Sequence, residues 1–336
     1  MKNVKLKDIA DRLGVSATTV SMVLNGRSIS VSEKTRQEIT RTADEMGYIK
    51  RLAPKPIALF VPDFNNMYYS EFTKWLSLYA QDMGYNLIVY DSNNNSQREL
   101  NNLSALTSRN VCGIIMAMTS PGSEIRMLIN QKSGPGKIPV VLIDISNPTF
   151  NCHKISTDNY LGEYMAVEYL LSLGHKRIGH ICGPISSSNV DNGCIDRLNG
   201  YKNAFADNGL SYEDSWIVEG VFNMESGYHL TQQLLDQNVT AIATQNDMQA
   251  FGVYHYLKEH GIDIPNDVSL IGFDDVSFSS VLETPLTTVS QKVPLLARKA
   301  IDLITDEVSH YAISGKVMFK GEPELVIRKS VKDLRK

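Results

Sequence analysis

Apolar positions near the start of the chain recur with a helical period. Leu6, Ile9, Ala10 and Leu13 fall at i, i+3, i+4 and i+7, which places them on one face of a helix. Gly14 follows where a helix is commonly capped in the left-handed region. The pattern therefore predicts a first helix that ends just before Gly14.

Two more helices are predicted within the first 48 residues. Ser16 is a good N-cap for the second, and Ser32 can cap the third, with Glu33 near its positive end and Gly47 as its stop. The inward positions are Val20, Val23 and Leu24 in the second helix and Ile39, Ala43 and Met46 in the third. Short helices joined by a tight glycine-containing turn form a helix-turn-helix, and three such helices can share one small core.

From Ile57 onward, short apolar runs alternate with amphipathic stretches such as 72–83 and 98–107. Eight runs are typical of buried strands: residues 57–61, 86–90, 112–118, 139–144, 177–182, 217–221, 240–244 and 268–273. Strands that alternate with helices predict βαβ units and a parallel sheet, and the series occurs twice. The fold class predicted is an all-α helix-turn-helix head followed by an α/β body of two parallel-sheet halves.

Charge divides the chain in the same place. Residues 1–55 hold eleven Lys or Arg and six Asp or Glu, a net charge of +5, whereas the whole chain carries −4. The remainder therefore carries −9. A basic head on an acidic body suits phosphate contact at one end only.

The composition argues against a membrane protein, a secreted protein and a metal-binding protein. No apolar run approaches the roughly 18 residues of a membrane span, and the N-terminus lacks the apolar segment of a signal peptide. The cysteines show no metal-ligand spacing, so we expect reduced thiols in a cytoplasmic protein, without a metal or other cofactor. The four cysteines are Cys112, Cys152, Cys182 and Cys194.

The head carries the motif VSATTVSMVLNG, with IADRLG before it and SEKTRQEI behind it. It resembles the DNA-binding head of the LacI/GalR family of bacterial transcriptional regulators. The resemblance continues through SLGHKRIGHICGP, RLNGYKNAF, NDMQAFGV, VSLIGFDD and PLTTVSQ. It implies a sequence-specific DNA-binding regulator, a repressor, whose operator affinity is modulated by a small molecule between two subdomains of a periplasmic-binding-protein-like body.

The resemblance also implies domain boundaries. A helix-turn-helix domain would span 1–48, a short linker 49–56 and an effector-binding domain 57–336. The N-subdomain would comprise about 57–156 and 290–318, and the C-subdomain about 157–289 and 319–336. The linker is about eight residues shorter than the family usually has, and the Pro-Asn that usually follows Tyr48 is absent. Lys50, Arg51 and Lys55 then either contact phosphates as a strap or belong to a plain linker.

Family position assigns the DNA contacts. Ala17, Thr18 and Met22 would face the bases, and Met22 stands where many relatives have Arg. Since Arg is the usual reader of guanine and Met can only touch a thymine methyl, the preferred operator should differ from the common family site. Phosphate contacts are expected from Lys5, Ser16, Thr19, Ser21, Asn25, Ser32, Lys34 and Thr35. Helix capping explains Ser16 and Ser32 equally well.

Ligands of open α/β sheets bind beyond the carboxyl ends of the strands. Tyr68 and Tyr69 follow the first strand, and the resemblance favours Tyr69 as the ligand-facing ring. Phe222 follows the run 217–221, and the resemblance implies that it lies on the opposite face of the ligand, as in some family members. Two bracketing aromatics supply contact area and orientation, and core packing is the alternative.

Polar candidates come from four other loops: Asp144, Arg197, Asn246 with Asp247, and Asp274 with Asp275. Gln291 is a further candidate. Arg197 and Asp274 match the strongest ligand positions of the family, whereas Asp144 and Asn246 could instead make turn or inter-subdomain hydrogen bonds. A polyol fits, because its hydroxyls accept from Arg and donate to carboxylates, with about 1.5–3 kcal/mol per charge-assisted bond. Asp158 and Asn159 are expected to form a turn and part of the cleft wall.

Other functions are weighed against this one. The chain has no GxGxxG after a strand, no P-loop, no GxSxG and no HExxH, so an enzyme is disfavoured. A solute-binding protein for import would carry a signal peptide and no basic head. The partners expected are pseudo-palindromic operator DNA, a small molecule that is a sugar or else a nucleoside or nucleobase, and a second copy in a homodimer, with a tetramer open.

Overall fold

The computed structural model describes residues 4–24, 29, 31–46, 48, 55–134, 136–145, 147–186, 192–308 and 316–335. The chain forms two compact units, residues 1–53 and 54–336. None of the helices within these ranges is long and apolar enough to cross a membrane.

The first unit is the head, and its three predicted helices are confirmed. They are α1 (Leu6–Leu13), α2 (Ala17–Leu24) and α3 (Glu33–Glu45). Gly14 caps α1 with φ 64°, in the left-handed conformation that glycine adopts without steric cost. The buried core is formed by Ile9, Ala10, Val20, Val23, Ile39 and Ala43. Gly47 and Asn25 lie outside the described residues.

The first half of the body is a six-stranded parallel sheet. Its strands are β1 (Ile57–Val61), β2 (Leu87–Asp91), β3 (Gly113–Ala117), β4 (Val140–Ile143), β5 (His153–Thr157) and β11 (Met318–Gly321). Their order in the sheet is β11-β5-β4-β3-β1-β2. Its helices are α4 (Met67–Asp82), α5 (Ser96–Ala105), α6 (Ser123–Lys132) and α11 (Val293–Val308).

The second half repeats the arrangement. Its strands are β6 (Ile178–Cys182), β7 (Ile217–Glu219), β8 (Ala241–Thr244), β9 (Ser269–Asp274), β10 (Thr287–Ser290) and β12 (Glu324–Val326). Their order is β12-β10-β9-β8-β6-β7, parallel except for β12. Its helices are α7 (Asn159–Ser172), α8 (Asn192–Asp207), α9 (Met224–Leu235) and α10 (Asp247–Glu259). The prediction of two parallel α/β halves is confirmed.

Four strands lie outside the eight predicted runs, and β5 shows why. It reads HKIST, which has no apolar run, yet every residue in it is buried because β4 and β11 flank it. Its polar side chains find partners: Lys154 Nζ donates to the carbonyl of Phe150 at 2.8 Å, and His153 Nδ1 accepts from the backbone N–H of Val317 at 3.0 Å. The other three are β10, β11 and β12.

The chain returns from the second half to the first and then crosses again. After β10, α11 packs on α4 and on β3, β4 and β5 of the first sheet. After α11 the chain adds one strand to each sheet, since β11 pairs with β5 in the first and β12 pairs with β10 in the second. The second crossing therefore lies between Gly321 and Glu324.

Candidate effector cleft and nucleic-acid interface

A cavity of about 420 Å³, its open mouth included, lies at the carboxyl ends of strands from both sheets. All seven side chains predicted to bind an effector line it. The lining residues are Asn66, Tyr68, Tyr69, Asp144, Asn159, Gly193, Cys194, Arg197, Phe222, Asn246, Asp274 and Gln291.

Three polar side chains of the cavity belong to residues at the carboxyl ends of strands. Asp144 directly follows β4, Gln291 directly follows β10, and Asp274 is the last residue of β9. Asp144 has φ 59° and Asp274 has φ 125°, a region that residues with a side chain rarely adopt. Backbone strain of this kind persists where the surrounding structure imposes it, and it clusters at functional sites.

Arg197 is a buried cation held by neutral groups. Only 8% of the residue is exposed. Its Nε donates to Oδ1 of Asn159 at 2.9 Å, its Nη1 donates to the backbone carbonyl of Gln245, and its Cζ lies 3.8 Å from the ring centroid of Phe273. Among the described residues, no carboxylate comes within 4.0 Å of the guanidinium. The lining of the cavity thus includes a fixed positive charge.

Asp274 is a buried carboxylate in the same wall. Its Oδ1 accepts from Nε2 of Gln291 at 2.7 Å, and Oε1 of Gln291 accepts from the hydroxyl of Thr157 at 2.7 Å. Burial raises the pKa of Asp274 well above its usual value, and the charge of Arg197 opposes that shift. Because Thr157 belongs to the first sheet and Asp274 to the second, this chain of hydrogen bonds joins the two halves beside the cavity.

The aromatic lining includes one ring more than predicted. Tyr69 and Phe222 both line the cavity, and so does Tyr68, which is 3% exposed. Burial, the charge of Asp144 and a hydrogen bond to Asp144 raise the pKa of the Tyr68 hydroxyl. The hydroxyl is therefore a donor beside Asp144 in the wall of the cavity.

Gly183 makes room for Phe222. A Cβ at Gly183 would lie 2.4 Å from Cζ of Phe222 and 2.9 Å from Sγ of Cys194. Only the absence of a side chain lets the ring lie against the end of β6. The other lining residues that sequence reasoning did not single out are Asn66, Gly193 and Cys194.

The acidic neighbours Asp247 and Asp275 serve the fold instead. Asp247 is fully buried and accepts hydrogen bonds from the hydroxyls of Ser279 and Thr288, both at 2.6 Å. Burial raises its pKa to about 7. Asp275 forms an ion pair with Arg328 at 2.5 Å. Neither lines the cavity.

In the head, α2 has an accessible face opposite its buried one. Val20 and Val23 are buried, whereas Ala17 and Thr18 are exposed and Met22 is half-buried. Ser16 Oγ accepts from the backbone N–H of Thr19 at 2.9 Å. The predicted outward residues therefore share an accessible surface.

The two capping serines make the same motif. Ser32 Oγ accepts from the backbone N–H of Thr35 at 3.1 Å, and the hydroxyls of Ser32 and Thr35 lie 2.7 Å apart. Capping is therefore one role of both Ser16 and Ser32. It leaves hydroxyls at helix N-termini, where the helix dipole favours anions such as phosphate. Lys5 and Lys34 are exposed, and Ser21 is half-buried.

Only the end of the predicted linker, residues 55 and 56, lies within the described residues. Residues 49–54, which include Lys50 and Arg51, lie outside the described residues. Lys55 Nζ donates to the carbonyl of Ser108, a contact within the body. The four cysteines are free thiols, and no three His, Cys, Asp or Glu side chains come together as a metal site within the described ranges.

Two family models match the chain. Residues 5–50 match bacterial regulatory proteins of the lacI family, and residues 167–331 match a periplasmic binding protein-like domain. The first covers all three helices of the head. The second covers most of the second half of the body together with α11 and β11.

Relatives match the chain over nearly its full length. The HTH-type transcriptional repressor PurR of Photobacterium profundum is 30% identical over 339 residues, which is 98% of this chain and 99% of the relative. The ribose operon repressor of Haemophilus influenzae is 31% identical over 342 residues, again 98% and 99%.

A solved structure agrees with the fold. The lac repressor dimer bound to operator and the anti-inducer ONPF matches with a TM-score of 0.73 and 26% identity, over 98% of this chain and 99% of that one. Together with relatives at 30% identity or more, this establishes that the chain belongs to the LacI family of bacterial regulatory proteins, which are DNA-binding transcriptional repressors and not enzymes.

Proposed function

We propose that this repressor binds a neutral sugar in the cavity between the two halves of its body. The charge pattern carries the proposal: among the described lining residues, Arg197 is the one cation, and it shares the wall with Asp144 and Asp274. A phosphate group would meet two carboxylates. A sugar hydroxyl can donate to a carboxylate and accept from a guanidinium, so it can form hydrogen bonds with both the negative and the positive side chains.

A nucleobase or nucleoside is the second candidate. Tyr69 and Phe222 both line the cavity, and flat rings bracket a planar ligand well. This candidate uses the aromatic lining more fully but leaves fewer hydroxyls for the carboxylates. The name of one relative, the ribose operon repressor, supports the sugar.

Ligand binding would act on DNA through the relation between the two halves. Tyr69 and Asp144 belong to the first half, whereas Arg197, Phe222 and Asp274 belong to the second. A ligand that contacts both halves stabilises the arrangement in which those contacts are made, and it shifts operator affinity only if DNA prefers one arrangement.

The DNA-binding role is assigned to α2. We place Ala17, Thr18 and Met22 at the base edges, and the phosphate contacts at Lys5, Ser16, Thr19, Ser21, Asn25, Ser32, Lys34 and Thr35. Two heads on a C2 dimer would read the two halves of a pseudo-palindromic operator, in the cytoplasm where the bacterial chromosome lies. Sedimentation of the purified chain with and without a selected operator duplex tests the dimer and distinguishes it from a tetramer.

The test of the effector class is a thermal-shift screen of the full chain with D-ribose, D-glucose, D-ribose 5-phosphate, adenosine and hypoxanthine. Ligand at 100 times its Kd stabilises by about 2.7 kcal/mol, which gives a visible rise in Tm. We expect a neutral sugar to stabilise the native chain and not the Arg197→Met or Asp274→Asn variants. Binding of the phosphate ester would contradict the charge argument, and a nucleobase response that requires Phe222 would favour the second candidate.

A further inference from the structure

A buried polar chain lies behind Arg197, outside the lining of the cavity. Glu163 on α7 is 1% exposed, and His180 on β6 and Gln245 after β8 are fully buried. Oε1 of Glu163 lies 3.3 Å from Nδ1 of His180, and Nε2 of His180 lies 3.3 Å from Nε2 of Gln245. Burying such groups costs stability unless each finds a partner, so their arrangement calls for a reason.

Gln245 connects this chain to Arg197. Its Oε1 accepts from the backbone N–H of Gly183 at 2.9 Å, and its Nε2 donates to the carbonyl of Cys194 at 3.0 Å. Its own backbone carbonyl accepts from Nη1 of Arg197. Gly183 follows β6, and Cys194 lies in the first turn of α8, one turn before Arg197. One residue therefore fixes the end of the strand, the start of the helix and the guanidinium.

These bonds determine the protonation of the imidazole. Gly183 N–H can only donate and the Cys194 carbonyl can only accept, so the amide oxygen and nitrogen of Gln245 cannot be exchanged. The amide nitrogen then faces Nε2 of His180, which must accept. A neutral imidazole that accepts at Nε2 carries its hydrogen on Nδ1, on the side of Glu163, but within the described part of the chain neither His180 Nδ1 nor either carboxylate oxygen of Glu163 has a hydrogen-bond partner.

We propose that His180 is a positioning residue of the effector cleft. Its Nε2 accepts from Gln245, and Gln245 holds Arg197 where the ligand meets it. The proposal rests on the proposed role of Arg197 in ligand binding.

Burial is the dominant influence on both groups. It raises the pKa of Glu163 to about 8, against the opposing charge of Arg197, and it lowers the pKa of His180 to about 3, with Arg197 and Lys202 acting in the same direction. Both side chains are thus neutral near pH 7, as the tautomer argument assumes.

The test reads the tautomer directly. Long-range proton–nitrogen NMR spectra of the full chain, labelled with 15N-histidine, distinguish Nδ1–H from Nε2–H. His175 is a matched control in the same spectrum: it is also buried, but its Nε2 faces the carbonyl of Lys332 at 3.0 Å and its Nδ1 faces the hydroxyl of Thr240 at 2.9 Å. We expect Nε2–H for His175 and Nδ1–H for His180. An Nε2–H signal from His180 overturns the proposal without any variant.

Two variants test the role of His180, with the Nε–H resonance of Arg197 in a chain labelled with 15N-arginine as the readout. His180→Leu removes the acceptor that faces Gln245, so the Arg197 resonance should move. Glu163→Gln leaves the hydrogen bonds of Gln245 and Arg197 unaltered and is the control, so the resonance should stay in place. If the resonance is unchanged in a folded His180→Leu chain, His180 only fills space and the proposal fails. No ligand is used, so a failed sugar screen leaves this test intact, and a wrong tautomer leaves the effector class intact.

Discussion

The guanidinium of Arg197 lies over the ring of Phe273, with 3.8 Å between Cζ and the ring centroid. The ring is fully buried and belongs to β9, the strand that ends at Asp274. The same strand therefore supplies both the surface that supports the cation and the carboxylate that faces the cavity with it. A planar cation stacked on a ring and hydrogen-bonded at its edge has little freedom left to lose when a ligand binds.

Arg197→Lys is expected to weaken effector binding even though the charge is kept. Lysine has no planar group to stack on Phe273 and no rigid fork that reaches Asn159 and Gln245 together, so we expect a loss of at least about tenfold. Isothermal titration with the sugar from the screen measures it. Arg98→Lys, on the exposed face of α5, is the matched control and should bind as the native chain does. Equal affinity in both variants would show that Arg197 acts only as a charge.

Asp274→Asn is expected to stabilise the protein while it weakens binding. Asn keeps an oxygen for Gln291, and burial raises the pKa of Asp274, so the ionised carboxylate is disfavoured in the folded state. Removing it should raise the free energy of unfolding by about 1–3 kcal/mol at pH 8. Urea unfolding and ligand titration of the same sample check both effects. A variant that is less stable and binds normally would contradict the assignment.

Gly183→Ala should displace the ring of Phe222. The added Cβ would lie 2.4 Å from Cζ of the ring, closer than real contacts allow, so the ring must shift and ligand affinity should fall. The double variant Gly183→Ala, Phe222→Leu relieves the clash. If Gly183→Ala acts only by displacing the ring of Phe222, adding it to Phe222→Leu should change neither the Tm nor the ligand affinity of that variant. A double variant no more stable than Gly183→Ala would place the clash elsewhere.

Glu163→Gln should remove one component of the pH dependence of stability. The pKa of Glu163 is raised to about 8 by burial, from a usual value of 4.5. The native chain therefore loses stability relative to the variant as the pH rises from about 4.5 to about 8, with a slope of at most about 1.4 kcal/mol per pH unit. Below that window the difference should be constant. Urea unfolding of both chains at pH 5, 6.5 and 8 measures the slope, and a difference independent of pH contradicts it.

Met22→Arg should give the head a preference for guanine. Arg can donate twice to O6 and N7 of guanine, and a good pair of this kind discriminates by about 1–3 kcal/mol per base pair. Binding to duplexes that vary one base pair at a time, at fixed salt, measures the change. Met127→Arg, at an exposed position on α6, adds the same charge to the body and should leave the base preference unaltered. A uniform rise in affinity for all duplexes would mean that the new Arg contacts phosphate.

Sequence patterns predicted the residues that line the cavity better than the residues that hold those side chains in place. Asp144 and Asp274 were predictable because each comes at the end of a predicted buried strand, where side chains of neighbouring strands converge. Gln291 came from the family resemblance, because the strand before it was not predicted. Tyr68 was harder, since it shares the first turn of α4 with Tyr69 and nothing in the pattern says that both reach the cavity. Asn159 was placed in the wall, and its hydrogen bond to Arg197 gives it a more direct part.

The polar chain behind Arg197 gives no sequence signal of its own. Glu163 lies in a helix and His180 in a strand, 17 positions apart, and a single polar residue at an inward position looks like an irregularity in the apolar pattern. The same difficulty hid β5, whose polar residues are buried only because β11 arrives from the far end of the chain to cover its edge. The local sequence pattern shows which secondary structure a segment favours. Whether its residues are buried depends also on segments that are distant in the sequence.

The late position of β11 and β12 has a consequence for synthesis on the ribosome. The head can fold as soon as its three helices emerge, but β5 and β10 keep an open edge until residues 318–326 have been made. Each sheet of the body therefore lacks its last strand until these nine residues have been synthesised. During that interval each nascent chain exposes two unpaired strand edges that can pair with another chain. A stop codon shortly before Met318 would accordingly yield a DNA-binding head attached to an aggregating body, rather than a shorter working repressor.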